Sequence, residues 1–597
     1  MLQSYYNYNM NPLGACKFWQ SEKKRFPMKS MCGRMYYTTL TVFCLLGLTG
    51  ASASTKGDKT DVDLKIGIVQ RFGDSPKDLL QLEPTKGDKL LLSFRTSNGQ
   101  QTVSTDKPVR LEIAMQPLVK QPGINERVVL GVFRTFETAE DNASRWRELG
   151  IQVEIAQPDR WQVWANRKVY STPLLRRLLL QSLQASGRKT PFIDTEVIKQ
   201  APVVSWTVGD KRYNVNSLAI DSQKSLVLVN QGQKLDVHEV SRSRSVPQES
   251  EVSPKENKDA KALNNQQKKD TLNPNKARLF PGNLQIQPNA YGTYTLVNNV
   301  PLETYLRGVV PYEIGNNAPM AALEAQAIIA RTYALRNIRR FAADNYQLCA
   351  DTHCQVYFGL KDVSASTDKA IASTKGMVVT YKNQLVDALY SASTGGVTAS
   401  FSDVWNGDDR SYLRPILDAP NNIWNLTGQS LREENNLKAF INKKEGFNET
   451  GWDLFRWRRE SRIEDITKTL QKFLAVKKSP FAKLKEVREM EVVERSDSGR
   501  ILKLEIKTDI GSFHLTKDEV RSAFAAPIST LFYLEPLNKG GSDLWGYAFV
   551  GGGMGHGVGL SQVGAQNLAL LGRSSADILQ FYYPGTQLQV LNDKIKK

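Results

Sequence analysis

The sequence predicts an α+β fold in several modules, and three observations carry that prediction. Short apolar, β-branched runs bounded by turn residues recur through the first half, as at 64–69, 90–94 and 109–113. Apolar residues at helical spacing occur only in isolated stretches, the clearest at 320–341. The 597 residues are 41% hydrophobic, which suits packed cores rather than global disorder, and that length accommodates roughly three or four domains.

The N-terminal residues address the chain outward. Lys23, Lys24, Arg25, Lys29 and Arg34 precede a mostly apolar run at 36–48, and Ala51-Ser52-Ala53 has the small-x-small pattern of a cleavage site. Residues 1–53 therefore read as a signal peptide, with Met28 as an alternative start. An uncleaved membrane anchor is the other reading, although the run is short beside the ~20 residues of a spanning helix. Cys44 follows Thr41-Val42-Phe43, which is no lipobox. Cys16, Cys32 and Cys44 belong to or precede this segment, so only Cys349 and Cys354 remain in the exported part. A pair five apart in an oxidising compartment is a disulfide or a pair of metal ligands.

A net charge of +18 favours polyanions such as nucleic acid, anionic lipid or wall polymers. Zinc-finger spacing, an RNP-like aromatic motif and a basic heptad helix are all missing from the sequence, which argues against nucleic acid as partner.

The elements follow in order. Residues 54–125 form a β-rich module. Residues 126–186 switch to strand, helix, strand, strand, helix. The first helix spans 137–149, with Ala139, Ala143, Trp146 and Leu149 at helical spacing and Gly150 as its stop; the second spans 174–185. Strands at 203–208, 217–220 and 226–229, within residues 187–240, return to the β module. Residues 241–276 are polar and Pro-containing and read as a linker. The last module, 277–590, opens with strands at 284–286 and 294–297. Asn317 as N-cap and Pro319 at an early position introduce a helix at 320–341, whose buried stripe is Leu323, Ala327, Ala330, Ala334, Ile338 and Phe341. Strands at 376–379, 385–388 and 503–506 and helices at 463–474 and 561–571 follow, with 421–451 as an irregular polar insertion.

Four constellations carry chemistry. Glu313 follows the apolar turn Val309-Val310-Pro311; a carboxylic acid held among apolar neighbours keeps its proton and serves as a general acid. By position alone, a Glu ahead of a helix is a surface or helix-dipole residue. Glu303 and Glu324 read as cap or salt-bridge residues. Cys349, His353 and Cys354 offer tetrahedral zinc ligands, or the two cysteines close a disulfide. The Gly-rich stretch 551–559 surrounds His556, one of four histidines. It lacks the Lys-Ser/Thr of a phosphate loop, and Val563 stands where a nucleophile elbow at Ser561 needs Gly. In Ser391-Ala392-Ser393-Thr394-Gly395-Gly396 neither serine is followed by Lys at the Ser-x-x-Lys spacing.

Together, residues 300–314, the run Cys349-Ala350-Asp351-Thr352-His353-Cys354-Gln355-Val356-Tyr357, residues 391–396 and Gly553-Met554-Gly555-His556-Gly557-Val558-Gly559-Leu560-Ser561-Gln562 resemble the SpoIID/LytB family, which acts on bacterial peptidoglycan. The resemblance implies an exported lytic transglycosylase, periplasmic or in the cell wall, with Glu313 as its general acid and base. Ile314 replaces the Met usual in that motif, an apolar exchange. It also implies a zinc loop at Cys349, His353 and Cys354, and substrate contacts from Tyr312, Gln326, Arg331, Gln355, Tyr357, Ser391, Thr394, His556 and Gln562. Gly131-x-Phe133, the Ala-containing helix and Trp161-x-Val163 resemble a SPOR-like binder of stem-poor glycan strands. The implied partners are glycan strands and an amidase or other wall enzyme, with membrane anchoring through the N-terminal segment as the variant. The alternatives are a non-catalytic amidase enhancer of the LytB type, a structural wall anchor, and a zinc hydrolase, which the absence of His-Glu-x-x-His disfavours.

Overall fold

The computed structural model describes residues 61–75, 78–118, 123–198, 200–231, 277–538, 540 and 544–595. The leader, the linker and Cys16, Cys32 and Cys44 lie outside the described residues. The α+β expectation holds.

Two sheets carry the first part. One has seven strands, in the order Leu348–Cys349, Asp63–Phe72, Tyr294–Pro301, Asn283–Pro288, Leu218–Ser222, Leu90–Thr96 and Gly99–Thr105. The other has six, in the order Lys211–Val215, Gln200–Val208, Val109–Pro117, Leu79–Pro84, Leu226–Gln231 and Arg278–Pro281. Their apolar faces share one core, where Phe94 meets Trp206 and Tyr213 edge-on at centroid distances of 5.3 and 5.4 Å. Strands from both sides of the 241–276 segment pair directly: Leu64 lies opposite Val300, and Val227 opposite Phe280. The module boundary expected at 276/277 therefore runs through two continuous sheets.

Residues 123–198 form a separate βαββαβ unit, with strand order Val153–Ala156, Trp161–Ala165, Gly123–Phe133, Phe192–Ile198. The unit leaves and re-enters the six-stranded sheet at one paired position, where Pro117 lies opposite Gln200. Thr135 and Thr172 cap its helices, Phe136–Glu148 and Pro173–Ala185. Phe136, Ala139, Ala143 and Trp146 are buried, so the expected periodicity holds while Leu149 is left exposed. This first helix turns its acidic side to the rest of the chain: Glu137 pairs with Arg340 (3.1 Å), Glu140 with Arg336 (3.4 Å) and Asp141 with Arg410 (3.1 Å). On the far face of the small sheet, Trp164 is fully buried against Tyr291, beneath the guanidinium groups of Arg127 and Arg167.

Helix Met320–Arg336 is the axis of the last module. Leu323, Ala327, Ala330 and Ala334 of the expected stripe are buried, but so are Ala322, Ala325, Ile328 and Ile329, because helices and strand Met377–Tyr381 surround it; Phe341 and the half-buried Ile338 lie beyond its end. It starts after Pro319, which is itself the N-cap, and ends at Asn337, short of the expected 341. The region 421–451 is no irregular insertion. It contains helix Glu434–Asn442 and buries Leu431, Leu437, Phe440 and Phe447 in a core of its own.

Candidate active site

Glu313 lies in the short helix Val310–Ile314, where Pro311 favours helix entry and Gly315, at φ 86°, turns the chain out again. Its Oε1 accepts the Val356 backbone N–H at 2.8 Å. Burial raises its pKa; the Val356 N–H and hydrogen bonds from Tyr390 and Gln562 offset part of the rise. The carboxyl therefore holds its proton to a higher pH than an ordinary Glu, while the residue keeps some surface open to solvent.

A layer of polar side chains fixes these partners. Gln355 Nε2 donates to the Tyr390 hydroxyl (3.3 Å), and Gln355 Oε1 accepts from Tyr305 (3.3 Å). Gln562 Nε2 donates to Gln326 Oε1 (3.4 Å). Gln326 Nε2 and the Ser391 hydroxyl, both buried, have no hydrogen-bond partner among the described residues. His556 takes the Val558 N–H on Nδ1 (3.0 Å) and hydrogen-bonds the Tyr390 backbone. Burial, then the charge of Arg521, pushes its pKa down to about 4, so the imidazole is neutral at neutral pH. Glu313 is thus linked to Gln355 through Tyr390 and to Gln326 through Gln562, while Ser391 and His556 adjoin Tyr390. Tyr390 completes the group. The sequence reading missed it, although it stands directly before Ser391.

Four other residues expected at the substrate have partners within the protein. Arg331 is fully buried and grips Glu303 through two 2.7 Å hydrogen bonds, while also donating to the Met377 carbonyl. It ties the helix to its neighbours and leaves Glu303 in the ion-pair role expected of it. Tyr357 is fully buried, with its hydroxyl on Asn298 Oδ1 (2.7 Å) and its ring against Tyr305 and Phe280. It supports the site from behind. The Tyr312 hydroxyl donates to Asp362 (2.7 Å). Thr394 bonds Asp418 (2.8 Å) and Glu449 (3.0 Å) and is fully buried.

Thr394 belongs to a second acidic cluster. The N–H groups of Thr394, Gly395 and Gly396 converge on Glu449 at 2.6–3.0 Å. The positive φ of Gly395 and Gly396, 74° and 88°, forms this nest. The hydroxyls of Ser393, Thr394 and Ser561 add three more bonds. Neighbouring Asp418, held by Asn448, Thr394 and Tyr582, has its pKa raised by burial and by Glu449.

Cys349 and Cys354 are joined in a disulfide, with Cα atoms 5.7 Å apart. His353 Nδ1 lies 3.1 Å from Asp351, whose other oxygen accepts from Gln70. This state offers no thiolate, and the residues expected to hold zinc do not fit it; the disulfide alternative describes the loop instead. The loop leads straight into Gln355 and Val356, so it bears on the N–H that holds Glu313.

Residues 290–381 match the family described as "Stage II sporulation protein", and residues 399–559 match a domain of unknown function, DUF8618. The chain is 29% identical over 299 residues to the amidase enhancer of Bacillus subtilis, which spans 47% of this chain and 40% of that protein. It is 26% identical over 310 residues to stage II sporulation protein D of the same organism, covering 49% of this chain and 75% of that protein. An uncharacterized protein of Brachyspira hyodysenteriae is 26% identical over 304 residues, covering 50% and 68%. The chain thus spans less than half the length of the amidase enhancer.

Proposed function

Because this chain belongs to the SpoIID/LytB family, we propose that it is an exported peptidoglycan lytic transglycosylase. The observation that supports this reading is Glu313: a single carboxyl whose proton is retained by burial, met by one backbone N–H, a phenol and an amide.

Hydrolysis of a glycoside ordinarily needs two carboxyl groups. A transglycosylase manages with one, because the C6 hydroxyl of the muramic residue replaces water. Glu313 gives its proton to the oxygen bridging N-acetylmuramic acid and N-acetylglucosamine, and that C1–O bond breaks. The C6 oxygen then forms the new bond to C1, and its proton returns to Glu313, leaving a 1,6-anhydro end. Tyr390 and Gln562 hold the carboxyl in place between the two transfers. The βαββαβ unit, with its SPOR-like motif residues, serves glycan-strand binding in this reading.

One relative's name, amidase enhancer, favours a second reading in which the chain binds wall glycan and stimulates a separate amidase. Digestion of purified sacculi by wild type and Glu313→Gln separates them. Loss of glycan cleavage in the variant supports catalysis. No cleavage by either protein, with equal stimulation of an added amidase, supports the enhancer.

A further inference from the structure

A cavity of about 570 Å3 opens between the βαββαβ unit and the loops that follow the long helix. Phe136 and Ile155, both buried, contribute its apolar floor. Four cations line it: Arg147, Arg167, Lys168 and Arg339. Arg167 is committed, bonding Glu154 and the Ala343 carbonyl at 2.7 Å each. Among the described residues, Arg147, Lys168 and Arg339 form no ion pair. Burial lowers the pKa of Arg147; Glu140 offsets part of this, and the like charge of Arg339 adds to it. Glu140 is itself paired with Arg336. Arg147, Lys168 and Arg339 reach solvent at the cleft, and four cations against two carboxylates leave it an excess of positive charge that attracts an anion.

Two carboxylates, Glu140 and Glu154, stand in the same wall. A densely charged polyanion such as a polyphosphate meets repulsion from them. A single carboxylate on a hydroxyl-rich frame finds the cations for its charge and the acid side chains as acceptors for its hydroxyls.

Resting on the peptidoglycan reading above, we propose that this cleft is a second wall-binding site, separate from Glu313, that takes a carboxylate of the glycan strand through Arg147, Lys168 and Arg339. Two sources carry that chemistry: the lactyl group of a muramic residue stripped of its peptide, and the carboxylates of the stem peptide. The cleft joins both modules, so an occupant holds them to the same strand.

The test is co-sedimentation of the full chain with purified sacculi, intact or stripped of stems by an amidase, with Glu313→Gln in every protein to keep strands uncut. Arg147→Gln/Arg339→Gln is expected to weaken retention by about tenfold, while Arg147→Lys/Arg339→Lys keeps most of it. Matching unfolding curves exclude misfolding. Loss on stripped sacculi alone identifies the lactyl carboxylate; loss on intact sacculi alone identifies the stem. Retention that is equal in the Gln pair and its parent on both materials overturns the cleft while leaving the wall reading intact. Failure of the parent protein to bind either material overturns both.

Discussion

Two glutamates, the fully buried Glu449 and the half-buried Glu313, have opposite surroundings. Glu449 receives three backbone N–H groups and three hydroxyls, and it organises the turn at 393–396 from 55 residues away. Glu313 receives one backbone N–H and two side-chain bonds, keeps some surface open, and has its pKa raised. Burial alone therefore does not make a catalytic acid. Glu449 is sealed under its donors as a structural keystone, whereas Glu313 keeps surface through which a proton can pass to a substrate.

The largest expected effect follows from that contrast. Glu313→Gln should lower glycan cleavage by about 100-fold or more, the usual size of a general-acid contribution, with the fold intact by circular dichroism. Glu449→Ala should do the reverse of a clean catalytic lesion: the N–H groups of Thr394 and Gly396 and the Ser561 hydroxyl lose their acceptor in a buried site, which costs about 3 kcal/mol or more, read as a lower denaturation midpoint.

Two titrations sharpen the comparison, with opposite senses. The raised pKa of Glu313 contributes stability fully below the ordinary Glu range, and this is lost as pH rises through its folded value. Glu313→Gln should therefore be more stable than wild type near neutrality, and the gap should close in acid. His556 falls from 6.5 to about 4, so its contribution is present above 6.5 and lost as pH falls towards 4. Unfolding midpoints of Glu313→Gln and His556→Asn, measured from pH 4 to 8, should diverge from wild type at opposite ends. The smallest effect concerns the loop behind Val356. A chelator should leave cleavage unchanged, whereas reduction of Cys349–Cys354 should lower it severalfold by loosening the N–H that holds Glu313. Loss of activity on chelation would instead place a metal at that loop.

Much of the site was legible because its residues cluster in short motifs. Glu313, Gln355 and Gln562 come from three such segments, and the fold joins them. Tyr390 escaped because successive strand residues face opposite ways, and the hydroxyl-rich run after it drew the reading to Ser391 and Thr394. Arg331 and Tyr357 were misread because a buried polar side chain and a groove residue look alike in sequence; only their partners, Glu303 and Asn298, tell them apart. The importance of Glu449 was invisible, since its donors are 53–112 residues away. The sheets that run across 241–276 were missed for the same reason: pairing between distant strands leaves no local mark. The helix expected at 320–341 reads as amphipathic because its small alanines hide burial on every side of the observed Met320–Arg336.

The central claim is that Glu313 is the single acid and base of a strand-cleaving reaction. Mass spectrometry of products released from purified sacculi, after borohydride treatment, tests it most directly. The account predicts muropeptides with 1,6-anhydro ends that resist reduction, from wild type and not from Glu313→Gln. Reducible ends, or anhydro products released equally by both proteins, would contradict it.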